Sequence, residues 1–275
     1  MNWRSLLVVV RYDLAYAGRS ARGILFGVFY VMFWAWLLWK LGTGLSEFLA
    51  RPGESGAFLD LVLSYMLDSE LAGTIFRERP ATLSAFFLIG LYTTPAFSIW
   101  GGSDQLASHI GSRHLRFIVP RCGRFELYLG RFLGSFLFVA AFTLLAGLGA
   151  TILSLCIDDA ASGAVLLHAL RVNLTLVAYA APFTALVAIF GALTAVPAVA
   201  AICAYGALLS VKIISGLLAI RIPAIGAVAY LFPNSLQTML LGSDAGKVAG
   251  ATALLFVYTA AYFAMGWLGF RRRNI

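Results

Sequence analysis

Residues 127–156 read LYLGRFLGSFLFVAAFTLLAGLGATILSLC, and Arg131 is the one charged side chain in this run. A run of about 20 apolar residues is long enough to cross the hydrocarbon core of a bilayer as an α-helix. Transmembrane barrel strands need only about 10 residues and alternate in polarity, which this run does not. The stretch therefore predicts a transmembrane helix, and with it an all-α membrane protein.

The rest of the chain has the same character, since 61% of its 275 residues are hydrophobic and only 12% are charged. A soluble domain has about 25% charged residues, so this composition cannot cover a water-facing surface. Further apolar runs bring the prediction to a polytopic protein with six transmembrane helices. The predicted spans are residues 23–41, 83–102, 127–156, 170–193, 196–220 and 248–270.

The N-terminal residues 1–22 precede the first span and alternate between apolar and basic side chains at a helical period. One arc of this helix is apolar and the opposite arc is basic: Trp3, Leu6, Leu7, Val10, Leu14 and Ala17 against Arg4, Arg11, Arg19 and Arg22. We therefore predict an interfacial amphipathic helix in the headgroup layer, in preference to an irregular basic N-terminus. The predicted organisation is this helix, residues 1–22, and a six-helix transmembrane domain, residues 23–275.

The basic residues are distributed unequally between the two predicted sides of the membrane. With both termini inside, the cytoplasmic segments hold 12 of the 20 Arg and Lys residues and the outer segments hold 7. Because positive charges are retained on the cytoplasmic side, we predict a multi-pass protein of the cytoplasmic (inner) membrane with both termini cytoplasmic. The net charge of +8 is then a topology signal, and no nucleic-acid partner is needed to explain it.

Two polar segments interrupt the spans and are candidates for function. The first, residues 104–126, continues from the second span as a short polar helix from Asp104 to about Arg116 and leads through Pro120 into the third span. The second, residues 221–246, is broken by proline and glycine and lies on the predicted outer side. Irregular backbone at membrane depth must be buried in protein. We therefore predict that this second segment forms a short helical hairpin buried against a dimer partner.

Enzyme motifs are absent from the sequence. There is no P-loop of the form G-x-x-x-x-G-K-[ST], no H-E-x-x-H and no G-x-S-x-G. The three histidines and three cysteines are scattered, so no metal site is predicted. We expect no enzymatic activity and no cofactor in this chain, and we expect its energy to come from another polypeptide.

The segment after the second span resembles the cytoplasmic coupling loop of type-2 ABC exporter permeases. In that family an acidic-polar helix, a T-L-R-x-L-L-x-x-P-x-x-R stretch and a Gly-Lys pair at the next span form the loop. The matching residues here are Leu115, Arg116, Pro120, Arg124, Gly130 and Arg131. Where the family often has a glutamate and a Gly-Thr pair, this chain has His109, Gly111, Ser112 and His114. The order of interfacial helix, spans, proline-broken segment and basic C-terminus is also similar to the family.

This resemblance implies the permease subunit of an ATP-driven exporter. Such a permease pairs with a second copy, a homodimer in the simplest case, and two separate ATPase subunits that carry ATP and Mg²⁺ dock on the loop after span 2. Membrane lipid is the other expected partner. For any single arginine, a topology signal is the simpler interpretation, and the coupling role applies to the helix as a unit. The implied coupling residues are Asp104, Gln105, His109, Arg113, Arg116, Pro120 and Arg124.

Three charged residues lie within or near the predicted spans. Arg131 and Arg171 are within about a turn of a span end, and their side chains are expected to reach the interface. Lys212 is deeper in the fifth span, residues 196–220. A lysine at this depth should face the bundle interior or water. It either lines a substrate pathway or extends along the helix to the interface, and the sequence favours neither.

Other classes of function stay open at this point. A secondary carrier or channel would act without an ATPase and would be expected to show inverted repeats or intramembrane acids. No repeat relates the first three spans to the last three. A passive membrane anchor of an assembly would need no further feature. No motif identifies the cargo, and a lipid-like, peptide or drug-like molecule that enters laterally is compatible with the sequence.

Overall fold

The computed structural model describes residues 3–50, 79–111, 122–158, 160–219, 230–242 and 244–273, apart from the side chains of residues 44–50, 105 and 216–219. Within these ranges the regular structure is helical. The helices are α1 Trp3–Arg19, α2 Ala21–Ala50, α3 Ala81–Gly102, α4 Asp104–Gly111, α5 Arg124–Ile157, α6 Ser162–Leu193, α7 Pro197–Ala219, α8 Gln237–Leu241 and α9 Ala245–Arg271. A 3₁₀ turn, Pro233–Leu236, leads into α8.

Six of the described helices, α2, α3, α5, α6, α7 and α9, are long and apolar enough to cross a membrane. The predicted all-α architecture with six spans is therefore confirmed. One clear difference in span boundaries is at α6, which begins at Ser162 rather than near Leu170. Its first turns are helical because Val165 and Ala169 lie on one face of the helix and are buried in the bundle.

Helix α6 lies at the centre of the bundle and packs against α3, α5, α7 and α9. Every residue from 179 to 188 is buried, so this part of the helix has no exposed face. A helix that is apolar on all sides is typical of the core of a bundle. In contrast, α2, α7 and α9 expose large apolar side chains along their lengths. The bundle therefore has a conventional packed centre and an apolar outer surface suited to lipid.

The helix termini meet at two ends of the bundle. The α1 end contains α1, α4, the start of α5 and the C-terminus of α9, where Arg124 donates a hydrogen bond to the carbonyl of Arg271 at 3.1 Å. The Pro80 end contains the start of α3 and the end of α5. There the Asp158 carboxylate accepts hydrogen bonds from the Thr82 backbone N–H at 3.3 Å and hydroxyl at 2.8 Å. Asp158 thus caps the start of α3.

Helix α1 packs against α5 instead of lying free in the headgroup layer. Val9 and Asp13 are buried on the α5 side, because Gly130 lets the two backbones approach: a Cβ on Gly130 would lie 2.7 Å from Val9 Cγ1. The helix is amphipathic as predicted, but its protein-facing side includes an acid. Trp3 and Leu7, from the predicted apolar arc, remain exposed and available to a membrane surface.

Candidate functional site

A cavity of about 360 Å³ lies between α3, α7 and residues 230–242, which we call the 230–242 segment. Small ligands occupy pockets of about 300–1,000 Å³ that are mostly apolar with a few polar groups. This cavity has that character, because tyrosine, leucine and proline side chains surround a small number of polar atoms. Its polar lining residues are Tyr92, Tyr205, Lys212, Ser215, Asn234, Ser235 and Gln237.

Pro95 in α3 explains why polar groups gather at this depth. Proline has no N–H, so the carbonyl of Leu91, four residues earlier, loses its helical partner. The side-chain amide of Gln237 donates a hydrogen bond to this carbonyl at 3.0 Å. An unpaired carbonyl in apolar surroundings is costly. Pro95 therefore creates an acceptor in the middle of a span, and the 230–242 segment attaches to it.

Side chains from the neighbouring spans hold the 230–242 segment inside the bundle. The Tyr179 hydroxyl of α6 donates to Asn234 Oδ1 at 3.1 Å, and the Tyr262 hydroxyl of α9 donates to the carbonyl of Leu231 at 2.6 Å. Backbone that is not a regular α-helix is tolerated at membrane depth only where protein or water surrounds it. This is the described half of the predicted outer segment 221–246. Residues 221–229 lie outside the described part of the chain.

Two arginines at the Pro80 end bind the C-terminus of α8. Arg79 donates to the carbonyls of Leu241 at 3.2 Å and Gly242 at 3.3 Å, and Arg171 donates to the carbonyl of Gly242 at 2.7 Å. The last carbonyls of a helix lack intrahelical partners and carry partial negative charge. That Arg171 extends to the interface stays a prediction, and its partly buried side chain binds the segment that lines the cavity at the Pro80 end.

Lys212 is on the α7 side of the cavity and belongs to its lining. Among the described lining residues it is the side chain that carries a charge at neutral pH, and no described carboxylate lies within ion-pair distance of it. The Lys212 side chain is exposed where it lines the cavity, which is compatible with both interpretations that the sequence allowed. Its part in transport stays a prediction.

The predicted coupling helix is α4, which begins one residue after α3 ends. Leu106 and Ala107 are fully buried, and α4 packs against α5, α6 and α7. At its other end, a Cβ on Gly111 would lie 2.6 Å from the carbonyl oxygen of Ala195, so this position requires glycine. The helix is thus fixed on the bundle by its apolar face and meets three spans at once.

The described coupling candidates each have a contact inside the chain. Asp104 accepts a hydrogen bond from Arg22 at 3.0 Å. His109 is 7% exposed, and its ring centroid lies 5.3 Å from that of Tyr16. Arg124 joins the start of α5 to the end of α9. His109 is therefore poorly placed for direct contact with another protein. Outside the described residues lie Arg113, Arg116, Pro120 and the side chain of Gln105.

A buried ion pair between α1 and α5 was missed by the sequence analysis. Arg131 donates to Asp13 Oδ1 at 2.6 Å, and the two side chains are 1% and 5% exposed. The prediction that Arg131 reaches the interface is wrong, because α1 covers it and supplies a carboxylate. Burial raises the pKa of Asp13 to about 6, and the Arg131 guanidinium opposes this rise. One signal was present, since Asp13 is the only acidic residue among residues 1–22.

The comparisons with known proteins give no family for this chain. No protein-family model matches the chain, and no curated protein matches it. Across the part of the chain that the structure describes, no group of three or more His, Cys, Asp or Glu side chains could hold a metal ion. The cavity beside Pro95 and the helix α4 are the structural features that bear on the function.

Proposed function

We propose that this chain is the membrane-spanning permease subunit of an ATP-driven ABC exporter. In this proposal the chain works as a dimer, and a separate ATPase subunit docks on each copy at residues 104–126. The ATPase subunits bind ATP and Mg²⁺, and this chain is not itself an enzyme. The α1 end faces the cytoplasm, in agreement with the excess of basic residues assigned to that side.

The observation that carries the proposal is the packing of α4, which is part of the predicted docking segment 104–126, against the bundle. One residue separates α4 from α3, and buried Leu106 and Ala107 join it to the neighbouring spans. A displacement of α4 is therefore passed to α3 and α6, since packed helices shift as rigid elements. Helix α3 carries Pro95, and α6 carries Tyr179, which binds the 230–242 segment.

In the proposed mechanism, a displacement of α4 alters the cavity beside Pro95. It is bounded by α3, by α7 and by the 230–242 segment, so a shift of α3 relative to α7 changes its volume and its opening. The segment is held by the buried side chains of Leu236, Leu240 and Leu241 and by side-chain hydrogen bonds, each of which contributes about 1 kcal/mol. Such bonds can be exchanged one at a time, which suits a barrier that opens and closes around cargo.

The proposal is tested by co-purification with the ATPase expected from the neighbouring reading frame. Arg113→Ala combined with Arg116→Ala removes two predicted docking residues, and we expect the affinity for the ATPase to fall about tenfold or more. The matched control is Arg271→Ala combined with Arg272→Ala, which removes two exposed arginines at the end of α9. Unchanged binding by the first pair, or equal loss in both pairs, contradicts docking at this segment.

A secondary carrier that acts without an ATPase is the second candidate function. The Asp13–Arg131 pair favours it, because buried ionisable pairs in membrane proteins often belong to proton or substrate pathways. Reconstitution of the purified chain alone in proteoliposomes separates the two candidates. The exporter proposal expects no uphill transport in this preparation, whereas a carrier would move cargo and would lose that activity on Asp13→Asn.

A further inference from the structure

We propose that the cavity beside Pro95 binds an anionic amphiphile, with a carboxylate or phosphate group at Lys212 and an alkyl chain against the apolar wall. The inference rests on the proposed function in treating the cavity as part of the transport path. It goes further by naming the chemical class of the cargo, which the exporter proposal does not supply.

The charge of the cavity selects the ligand's polar group. Lys212 is the one lining residue among those described that is cationic at neutral pH, and no described carboxylate pairs with it. The Lys212 side chain is exposed on the bundle, and an ammonium at membrane depth is costly unless an opposite charge accompanies it. A ligand anion supplies that charge. A cationic ligand would meet the same ammonium with no carboxylate in the described lining to offset it.

Neutral donors beside the lysine favour an oxyanion in particular. The Asn234 side-chain carbonyl already accepts a hydrogen bond from Tyr179 at 3.1 Å, which leaves the amide N–H groups of Asn234 to donate elsewhere. Carboxylates and phosphates present several acceptor oxygens and form short, charge-assisted hydrogen bonds. An ammonium and an amide that line one cavity are therefore complementary to such a group.

The remaining wall of the cavity is apolar and reaches the outer surface of the bundle. Leu208, Leu209 and Phe232 belong to this wall, and Leu209 is 58% exposed. In a bilayer this opening faces hydrocarbon, so an alkyl chain can enter the cavity without crossing water. A small hydrophilic anion would lose its hydration there and gain no apolar contact. The site therefore fits an amphiphile better than a free ion.

Photolabelling of the full chain tests this inference. The chain is placed in phosphatidylcholine nanodiscs without any ATPase and exposed to a dodecyl phosphate that carries a diazirine in its tail. We expect adducts on α7 and the 230–242 segment, mapped by peptide mass spectrometry. Lys212→Met should lower this labelling about tenfold, because one charge-assisted bond is lost. Lys212→Arg should preserve it.

Lys247→Met is the matched control, since Lys247 is an exposed lysine at the start of α9 and is not part of the cavity lining. It should label like the wild type. Competition by phosphatidylglycerol identifies a lipid headgroup as the anion's source, and competition by dodecanoate identifies a single-chain anion; either supports the proposal.

Three results overturn the inference: equal labelling of Lys212→Met and the wild type, equal labelling by a neutral diazirine-bearing dodecanol, or competition by inorganic phosphate alone. The experiment contains no ATPase, so its failure leaves the docking test on Arg113 and Arg116 unaffected. Conversely, loss of ATPase docking in that test does not depend on what the cavity binds.

Discussion

The α1 end and the Pro80 end both hold arginines within the bundle, and the contacts described for these arginines differ in kind. At the α1 end, Arg131 is paired with the Asp13 carboxylate, and both side chains are buried. At the Pro80 end, Arg79 and Arg171 share the carbonyls that end α8 and have Gly242 in common. A carboxylate is a full counter-charge, whereas a helix C-terminus supplies only about half a charge.

This difference indicates a different mechanical role for each end. The ion pair at the α1 end adds to the packing of α1 on α5 around Val9 and Gly130, and it cannot be broken without leaving a buried charge unpaired. The contacts at the Pro80 end join spans to the 230–242 segment through several bonds of moderate strength. We infer that the α1 end transmits force as a rigid unit and that the Pro80 end is where local rearrangement costs least.

Arg131→Met should cause the largest loss in the free energy of unfolding, and the loss should affect the whole bundle. Asp13 already has a folded pKa of about 6, above its ordinary value of 3.8. The Arg131→Met substitution removes the guanidinium that lowers this pKa, so the pKa should rise further. A carboxyl whose pKa is raised by folding contributes stability at low pH that is lost as the pH rises through the folded pKa. We therefore expect a loss of about 3–5 kcal/mol near pH 7.5 and a smaller loss near pH 5.5.

Thermal unfolding of the detergent-solubilised chain at the two pH values measures this effect. The double variant Arg131→Met with Asp13→Asn removes the titrating group as well, so the extra pH dependence of the single variant should disappear. If the single variant loses the same stability at both pH values, the ion pair is not the cause and the packing of Arg131 against α1 is.

Arg171→Met should cause an intermediate loss of local stability that is confined to the Pro80 end. It removes the 2.7 Å hydrogen bond to Gly242, and a bond from a charged donor contributes about 1.5–3 kcal/mol. Because Arg79 still binds the same carbonyl, the 230–242 segment should stay in place but open more often. Hydrogen exchange should increase in residues 237–242 and stay unchanged in α1.

Arg272→Met, at an exposed arginine near the end of α9, is the control for the charge change. It should leave both exchange rates and unfolding temperature close to the wild type. Increased exchange in α1 of the Arg171→Met variant would show that the two ends are coupled. The α1 end and the Pro80 end would then not rearrange independently.

The spans could be predicted from the sequence because hydrocarbon imposes a simple local rule. A helix of about 20 apolar residues satisfies its own backbone and needs no information from elsewhere in the chain. Lys212 also stood out locally, as a charge deep in a predicted span, but the sequence did not indicate the cavity that it lines.

The pairings between distant residues could not be predicted in the same way. Arg131 lies near the start of α5, so its position alone indicated an interface residue, and only the packing of α1 shows that Asp13 covers it. The bond from Gln237 to the Leu91 carbonyl depends on the register of the 230–242 segment against α3. No local pattern encodes that register, because the segment is irregular and far from α3 in the sequence.

Asp104→Asn should have the smallest effect and tests whether the α1 end is rigid through its exposed contacts as well. Asp104 binds Arg22 at 3.0 Å, but the Arg22 side chain is 59% exposed. Exposed ion pairs contribute about 1 kcal/mol or less and are screened by salt. We expect a small drop in unfolding temperature at low salt that vanishes near 1 M salt.

The salt response decides which contact makes the α1 end rigid. Asparagine has nearly the same shape as aspartate and can still accept a hydrogen bond from Arg22, so the packing of α4 is preserved. Salt screens the exposed pair but reaches the Asp13–Arg131 pair far less, because both of its side chains are buried. The Arg131→Met defect should therefore persist at high salt. A defect of Asp104→Asn that also persists at high salt would show that the screened charge of the Arg22–Asp104 pair is not the main contribution of Asp104.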